Sequence, residues 1–514
     1  MRWKASWFVV LVMWAGSSAQ AAGLWLQAGD RAVRDDLTLL MDEGVLRLPI
    51  TTWPIPVADV RAAMSGVDPD AIGGSEALRA AFLRLGARVA DRADAKEWLL
   101  RETSLSIGRA GLLRDDGTLA RDEGELRSSG GTSNDRWGMT ITAEKQFAPV
   151  DGHGLRFDGS DLTIRWGNWL FSANTMDRWY GPGEEGSLIL STNARPMPQL
   201  SLDRQVSTRS SLPILRWFGP WRFDAHVGVA ESHRADLSNS RFMAMRLVFQ
   251  PLPILELGIS RSAQFCGQFE HLPGWPAPPP GQRPKCGLKQ FRKTLVGNDN
   301  TAINGITFAD QPGNQMAGFD ARVTSPFQYL PVAVYAQLIG EDVSHTSTVP
   351  VPSKFLGLLG AEGWDYLASG SVVRARVEYS NTTCKFAEPS TVQGACAYRN
   401  SLFFAGYRYD FRNIGYSTDA NSEFWMADVS VTRLSGERFG VKLRHGTFDK
   451  NLGGYDPYSS VTLAMSHYNS AEGYWSGQLL GQDLSLQLGW EHQQPDYPPH
   501  GQGAYGMLQW RKAL

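Results

Sequence analysis

From about residue 97 onward the sequence repeats every two residues, and few other patterns limit a long chain so tightly. Leu484, Leu486, Leu488 and Trp490 alternate with Asp483, Ser485, Gln487 and Gly489, and Phe439, Val441 and Leu443 alternate with Arg438, Gly440, Lys442 and Arg444. The same holds for Trp221, Phe223, Ala225, Val227 and Val229 against Arg222, Asp224, His226 and Gly228. Val373, Ala375, Val377 and Tyr379 stand in turn against Val372, Arg374, Arg376 and Glu378. A two-residue period places successive side chains on opposite faces of an extended strand. Here the second face is charged rather than merely polar. A two-sheet sandwich alternates with its apolar face inward. A transmembrane barrel turns the apolar face to lipid and the polar face to its lumen. Alternation alone does not say which face is inside.

The start of the chain and the spacing of its strands favour the barrel. Arg2 and Lys4 precede an apolar run from Ala5 to Ala15, and small residues close the segment at Ala21 and Ala22. This is the pattern of a secretory signal peptide over residues 1–22, and the run is too short to cross about 30 Å of hydrocarbon. No later stretch approaches the apolar length of a membrane helix. Gly at 53 and Trp at 18 of 514 residues, with only 20% charged, suit a barrel with aromatic girdles. Connections alternate between tight (218–220, 250–253, 434–436, 481–482) and long (263–315, 381–400, 446–458, 491–502), as the two ends of such a barrel require. Parity fails between about 400 and 423, where Tyr407 to Asn421 is too long for a turn and a short extra strand would be needed. The resulting expectation is an all-β membrane protein, an antiparallel outer-membrane barrel of 16 to 20 strands over residues 96–514.

Residues 23–95 follow a different period. Val33, Leu37, Leu40 and Met41 share a helical face ended by Gly44. A second helix is expected from Pro56 to Met64, and a third starts at Ser75 with Leu78, Phe82, Leu85 and Val89 on one side. These segments predict a small helical bundle, or plug, on the periplasmic side.

Cys266 with Cys286 and Cys384 with Cys396 each close a local loop, and export permits disulfides. The spacing does not suit zinc. A net charge of −2 without a basic tract argues against nucleic acid. No nucleophile elbow, metal-spaced histidine pair or phosphate loop occurs, so no catalytic residue, metal or cofactor is expected. His226, on the charged face with Asp224 and Arg222, reads as part of a lumen hydrogen-bond network.

Residues 179–196, with Trp179, Tyr180, Gly181, Pro182, Gly183, Gly186, Ser187, Asn193 and Arg195, resemble the signature of the Wzi capsule assembly family. The Leu37 to Pro54 stretch, Asn298 to Asn300, Asn314 to Asp320 and Gly406 to Gly415 resemble it too. The resemblance implies an 18-stranded outer-membrane barrel, closed at its periplasmic end by the N-terminal helices, that acts as a lectin holding capsular polysaccharide at the surface. The chain closes on Leu514, where such a barrel ordinarily ends on an aromatic residue.

Sugar binding needs aromatic faces, with amides, carboxylates or guanidiniums for the polar groups, usually on loops over a rigid scaffold. The long connections offer Trp275, Arg283 and Lys285 within the first cysteine pair, and Tyr455, Tyr458, His492 and Tyr497 elsewhere. For the glycine-rich motif a structural role is favoured, with Asn193 and Arg195 as further ligand candidates. The expected partners are capsular or extracellular polysaccharide and outer-membrane lipid with lipopolysaccharide, for a monomer. The competing readings are a porin-like channel and an outer-membrane lipid-modifying enzyme.

Overall fold

The structure, a computed structural model, describes residues 23–73, 75–90, 98–269, 286–296, 313–327, 329–344, 351–387, 396–400, 403–450, 457–498 and 501–513. The signal peptide expected at 1–22, the family-like Asn298 to Asn300 and four of the sugar-binding candidates (Trp275, Arg283, Lys285 and Tyr455) lie outside them.

Period-two alternation resolves into a closed antiparallel barrel of eighteen strands. In chain order they are β1 Leu99–Arg109, β2 Gly124–Ser133, β3 Trp137–Phe147, β4 Asp161–Trp166, β5 Trp169–Asn174 and β6 Gln199–Arg204. There follow β7 Trp221–Val229, β8 Arg241–Leu252, β9 Leu255–Phe265, β10 Gly313–Thr324, β11 Val332–Ser344 and β12 Val351–Tyr366. The last six are β13 Val372–Asn381, β14 Glu423–Thr432, β15 Arg438–Phe448, β16 Ser466–Leu479, β17 Gln482–Gln494 and β18 Gln502–Ala513. A two-residue piece, Leu155–Arg156, runs ahead of β4 on the same neighbour, so the two count as one interrupted strand. The barrel closes where Gly506 to Ala513 of β18 meet Arg109 to Glu102 of β1.

Burial settles which face is inside. Val441 is 55% exposed and Lys442 fully buried, and Trp490 is 61% exposed beside Glu491 at 1%. The apolar row therefore looks out, as a wall in hydrocarbon must, and the charges line the lumen. Charges taken out of water need partners, and they have them. Arg444 of β15 meets Glu185 at 2.6 Å, Asp115 at 3.1 Å and Glu472 at 3.3 Å. Arg322 of β10 meets Glu362 at 2.6 Å.

The two ends differ. Connections 134–136, 167–168, 253–254, 325–331, 367–371, 433–437 and 480–481 are short and share one end, together with 205–220. The opposite end carries 110–123, 175–198, 266–312, 382–422 and 449–465. Parity holds throughout, so the extra strand expected between 400 and 423 is not needed. Residues 382–422 form one long connection that folds back on itself through a small hairpin, Arg408–Tyr409 with Arg412–Asn413.

Three helices, α1 Arg31–Asp42, α2 Val57–Met64 and α3 Glu76–Val89, pack together at the short-turn end. Asp30 caps α1 by accepting from the Val33 amide, Ser75 caps α3, and Gly44 at φ 71° takes the left-handed position past α1. Their shared core includes Leu37, Leu40, Leu78, Phe82 and Leu85 and reaches Trp364 and Val372 of the barrel wall. Glu43 accepts from Trp364 Nε1 at 2.7 Å, Arg84 donates to the Leu434 carbonyl at 2.7 Å, and Asp42 pairs with Arg322 at 2.7 Å and Arg374 at 3.2 Å.

Candidate functional site

The glycine-rich motif sits inside the barrel. It belongs to connection 175–198, whose two ends, Asn174 and Gln199, are direct ladder partners. The chain between them leaves the wall, runs through the lumen and returns. Trp179 and Tyr180 pair with Trp53 and Thr52, so an internal two-strand ladder ties the motif to the N-terminal segment. The Arg34 guanidinium lies over the rings of Trp179 and Trp53, at 4.8 and 5.4 Å from the centroids. Tyr180 donates its hydroxyl hydrogen to Asp224 and lies 3.2 Å from His226 Nδ1. His226 is thus in the lumen network expected of it.

Glycine at two motif positions follows from crowding. A Cβ on Gly183 would sit 2.2 Å from the Gly186 carbonyl oxygen, and one on Gly186 would sit 2.4 Å from the Tyr416 ring. Pro182, just ahead of Gly183, is buried as well. The Glu184 and Glu185 amides both donate to the Glu378 carboxylate, at 2.6 and 3.1 Å. Ser187 donates to the Tyr180 carbonyl, and the Leu188 amide to Gln337 at 2.8 Å. Leu188, Ile189 and Leu190 then join Tyr398, Tyr407, Tyr416 and Phe424 in an apolar cluster inside the barrel. Described residues of two connections from the far end, 175–198 and 382–422, meet there inside the lumen.

The candidate ligand residues fall in different places. Asn193 is buried, its amide donating to the Asn413 carbonyl at 2.8 Å. Arg195 is held by Asp158 at 3.0 Å, Asp151 at 2.8 Å and Asp410 at 3.2 Å. These two come together beside the hairpin 408–413. Tyr458 is half-buried against Phe404, ring centroids 5.8 Å apart, and Tyr497 lies in connection 495–501. His492 departs from the loop position expected of it. It is on the outward face of β17, two residues from the exposed Trp490, and hydrogen-bonds Gln502 at 3.0 Å. The cysteines pair as expected, Cys266 with Cys286 and Cys384 with Cys396, with Cα atoms 5.3 and 6.0 Å apart. Both disulfides lie in connections at the end away from the helices.

Sequence reasoning missed connection 110–123. Asp115 and Asp116 turn into the lumen and bridge Arg31 and Arg34 of α1 to Lys442 and Arg444 of the wall. The Asp-Asp pair followed by Gly117 was the available signal, and it reads only as a turn. The Arg408–Asp419 pair, 2.7 Å apart, was missed as well. Among the described residues no cluster of histidine, cysteine and carboxylate side chains could hold a metal ion.

Comparison with known proteins now adds to this geometry. A family model for capsule assembly protein Wzi matches residues 108–496. A Klebsiella pneumoniae protein described as an uncharacterized 55.8 kDa protein in the cps region is 29% identical over 355 residues, 68% of this chain. The match spans 64% of that relative's length. Among solved structures, Wzi of Escherichia coli superposes with a TM-score of 0.77 at 20% identity, covering 97% of this chain and all of that one. That protein is described as an outer-membrane protein involved in group 1 capsule assembly and a carbohydrate-binding β-barrel. With the motif in place inside an eighteen-stranded barrel and the match covering most of its length, the chain belongs to the capsule assembly protein Wzi family.

Proposed function

We propose that this chain is a non-enzymatic, polysaccharide-binding barrel of the outer membrane that holds capsular or extracellular polysaccharide at the cell surface during capsule assembly. The observation that carries the reading is the occupied lumen of a barrel in this family. Two connections, an internal ladder and the N-terminal helices stand in the space through which a solute would pass. Such a molecule is built to present a surface. The disulfide-tied connections supply that surface, and tied loops bind with less ordering cost. In this orientation the helices face the periplasm and the long connections face outward. The apolar belt contacts outer-membrane lipid and lipopolysaccharide, and a single chain closes the barrel, which favours a monomer.

Deleting the gene in a producing strain is expected to leave polymer synthesis intact while polymer appears in the medium. Unchanged retention on the cells would rule the reading out. A porin-like channel is motivated by the lumen cations Arg222, Arg374, Arg376, Lys442 and Arg444, but carboxylates and carbonyls engage them. Planar bilayers separate the two readings, since a steady open pore from the intact protein would favour transport. Incubation with phospholipid and lipopolysaccharide tests the lipid-modifying alternative, and hydrolysis would favour it.

A further inference from the structure

At the end away from the helices, the hairpin Arg408–Asn413 ends in a two-residue turn, because Tyr409 and Arg412 are ladder partners. Both turn residues have positive φ, 44° at Asp410 and 71° at Phe411. Asn-Gly ordinarily fills this geometry, and a bulky side chain adopts it only at a cost. Packing within the chain does not repay that cost, since Phe411 is 66% exposed. Strain kept at an exposed aromatic side chain points to a task for the ring outside the fold.

A second observation concerns the charges beside the same hairpin. The aspartates of this region are engaged: Asp151, Asp158 and Asp410 by Arg195, Asp122 by Arg156, and Asp177 by Arg121. Arg412 and Arg114 are left over, and among the described residues neither forms an ion pair. Arg412 reaches Asn193 Oδ1 at 3.5 Å, and Arg114 donates to the Ala120 carbonyl at 2.7 Å with its buried Nε unpartnered. Burial, with Arg121 and Arg412 close by, pulls the Arg114 guanidinium well below its ordinary range. An anion placed beside the pair would relieve both penalties.

We infer that the 408–413 hairpin is a docking platform for an acidic polysaccharide, with one sugar ring stacked on Phe411 and its carboxylate received by Arg412, beside Arg114. The inference rests on the polysaccharide-binding reading and adds the ligand's charge and the residues that meet it. An aromatic face suits the C–H side of a sugar, and a guanidinium meets a carboxylate through two parallel hydrogen bonds.

The test uses the full chain in detergent, titrated by calorimetry with oligogalacturonate, with a neutral dextran oligosaccharide of equal length, and with polymer shed by cells lacking the gene. The wild type should prefer the acidic oligosaccharide. Phe411→Gly should raise the thermal midpoint, because the strain is removed, yet weaken binding about tenfold. Phe411→Trp should keep affinity, and Arg412→Gln should erase the preference for the acidic probe. Unchanged binding in Phe411→Gly, or a wild type that binds neither probe or both equally, overturns the platform. Polymer retention on cells separates this failure from that of the anchoring reading. If cells without the gene shed polymer but Phe411→Gly cells hold it normally, the platform falls and anchoring stands. If cells without the gene also hold it, anchoring itself falls.

Discussion

Arg444 and Arg433 show how differently one residue type acts inside the barrel and in a turn at its end. Arg444 faces three carboxylates in the lumen, whereas Arg433 makes one exposed pair with Glu437 in a turn. Removing one member of a buried pair strands the others, so Arg444→Met should cost about 3–5 kcal/mol. Arg433→Ala should cost less than about 1 kcal/mol. Urea unfolding in detergent micelles, followed by near-ultraviolet dichroism, checks both, and equal costs would contradict the buried ion network assigned to Arg444. Gly186→Ala has a different cause. Its new methyl would collide with the Tyr416 ring, and overpacking of this kind costs about 1–3 kcal/mol. The same measurement reads it. The glycines of the motif were visible in the sequence, but Tyr416, the reason for one of them, was not. Two hundred-odd residues separate the partners, and only the closed barrel brings them together.

Among the elements, the α1–α3 contact carries a pH dependence. Asp36 of α1 accepts from Arg84 of α3 at 2.6 and 3.0 Å, and burial pushes its carboxyl up to about 6 despite that arginine. The folded chain therefore keeps a proton that the unfolded chain releases near 3.8, and the resulting stabilisation is complete below that value. It drains as pH rises through about 6. Hydrogen exchange of the α1 and α3 amides should show protection falling over that window, and Asp36→Asn should flatten the fall. If the variant follows the wild-type curve, another group is responsible. The helices themselves were legible, because Gly44 and Ser75 carry capping chemistry that acts within a few residues. The strands were legible by period, and the sugar-binding candidates much less so. Whether His492 belongs to a loop or to the outer wall depends on where β17 ends, and the run from Glu491 to Gln494 has no breaker before Pro495. Phe411 gave no warning either, since Asp-Phe is not a sequence that announces a tight turn.

For the whole molecule the strongest expectation concerns the bore. Because Asn174 and Gln199 are opposed on the ladder, residues 175–198 can be replaced by Asn-Gly without disturbing β5 or β6. That variant should still insert as a barrel but conduct ions steadily in planar bilayers, while the intact chain stays silent. A closed current from the shortened chain would mean that the remaining plug suffices alone. Inside and outside were the part of the fold least legible from sequence, because alternation is symmetric with respect to the wall. Pairs such as Lys442 buried beside an exposed Val441 break that symmetry. The filled bore also bears on how such a protein can be used. A bacterium that crowds its surface with open cylinders loses its permeability barrier, and toxic molecules enter through each one. A cylinder stoppered by its own chain carries no such penalty, so the cell is free to display as many copies as its coat requires.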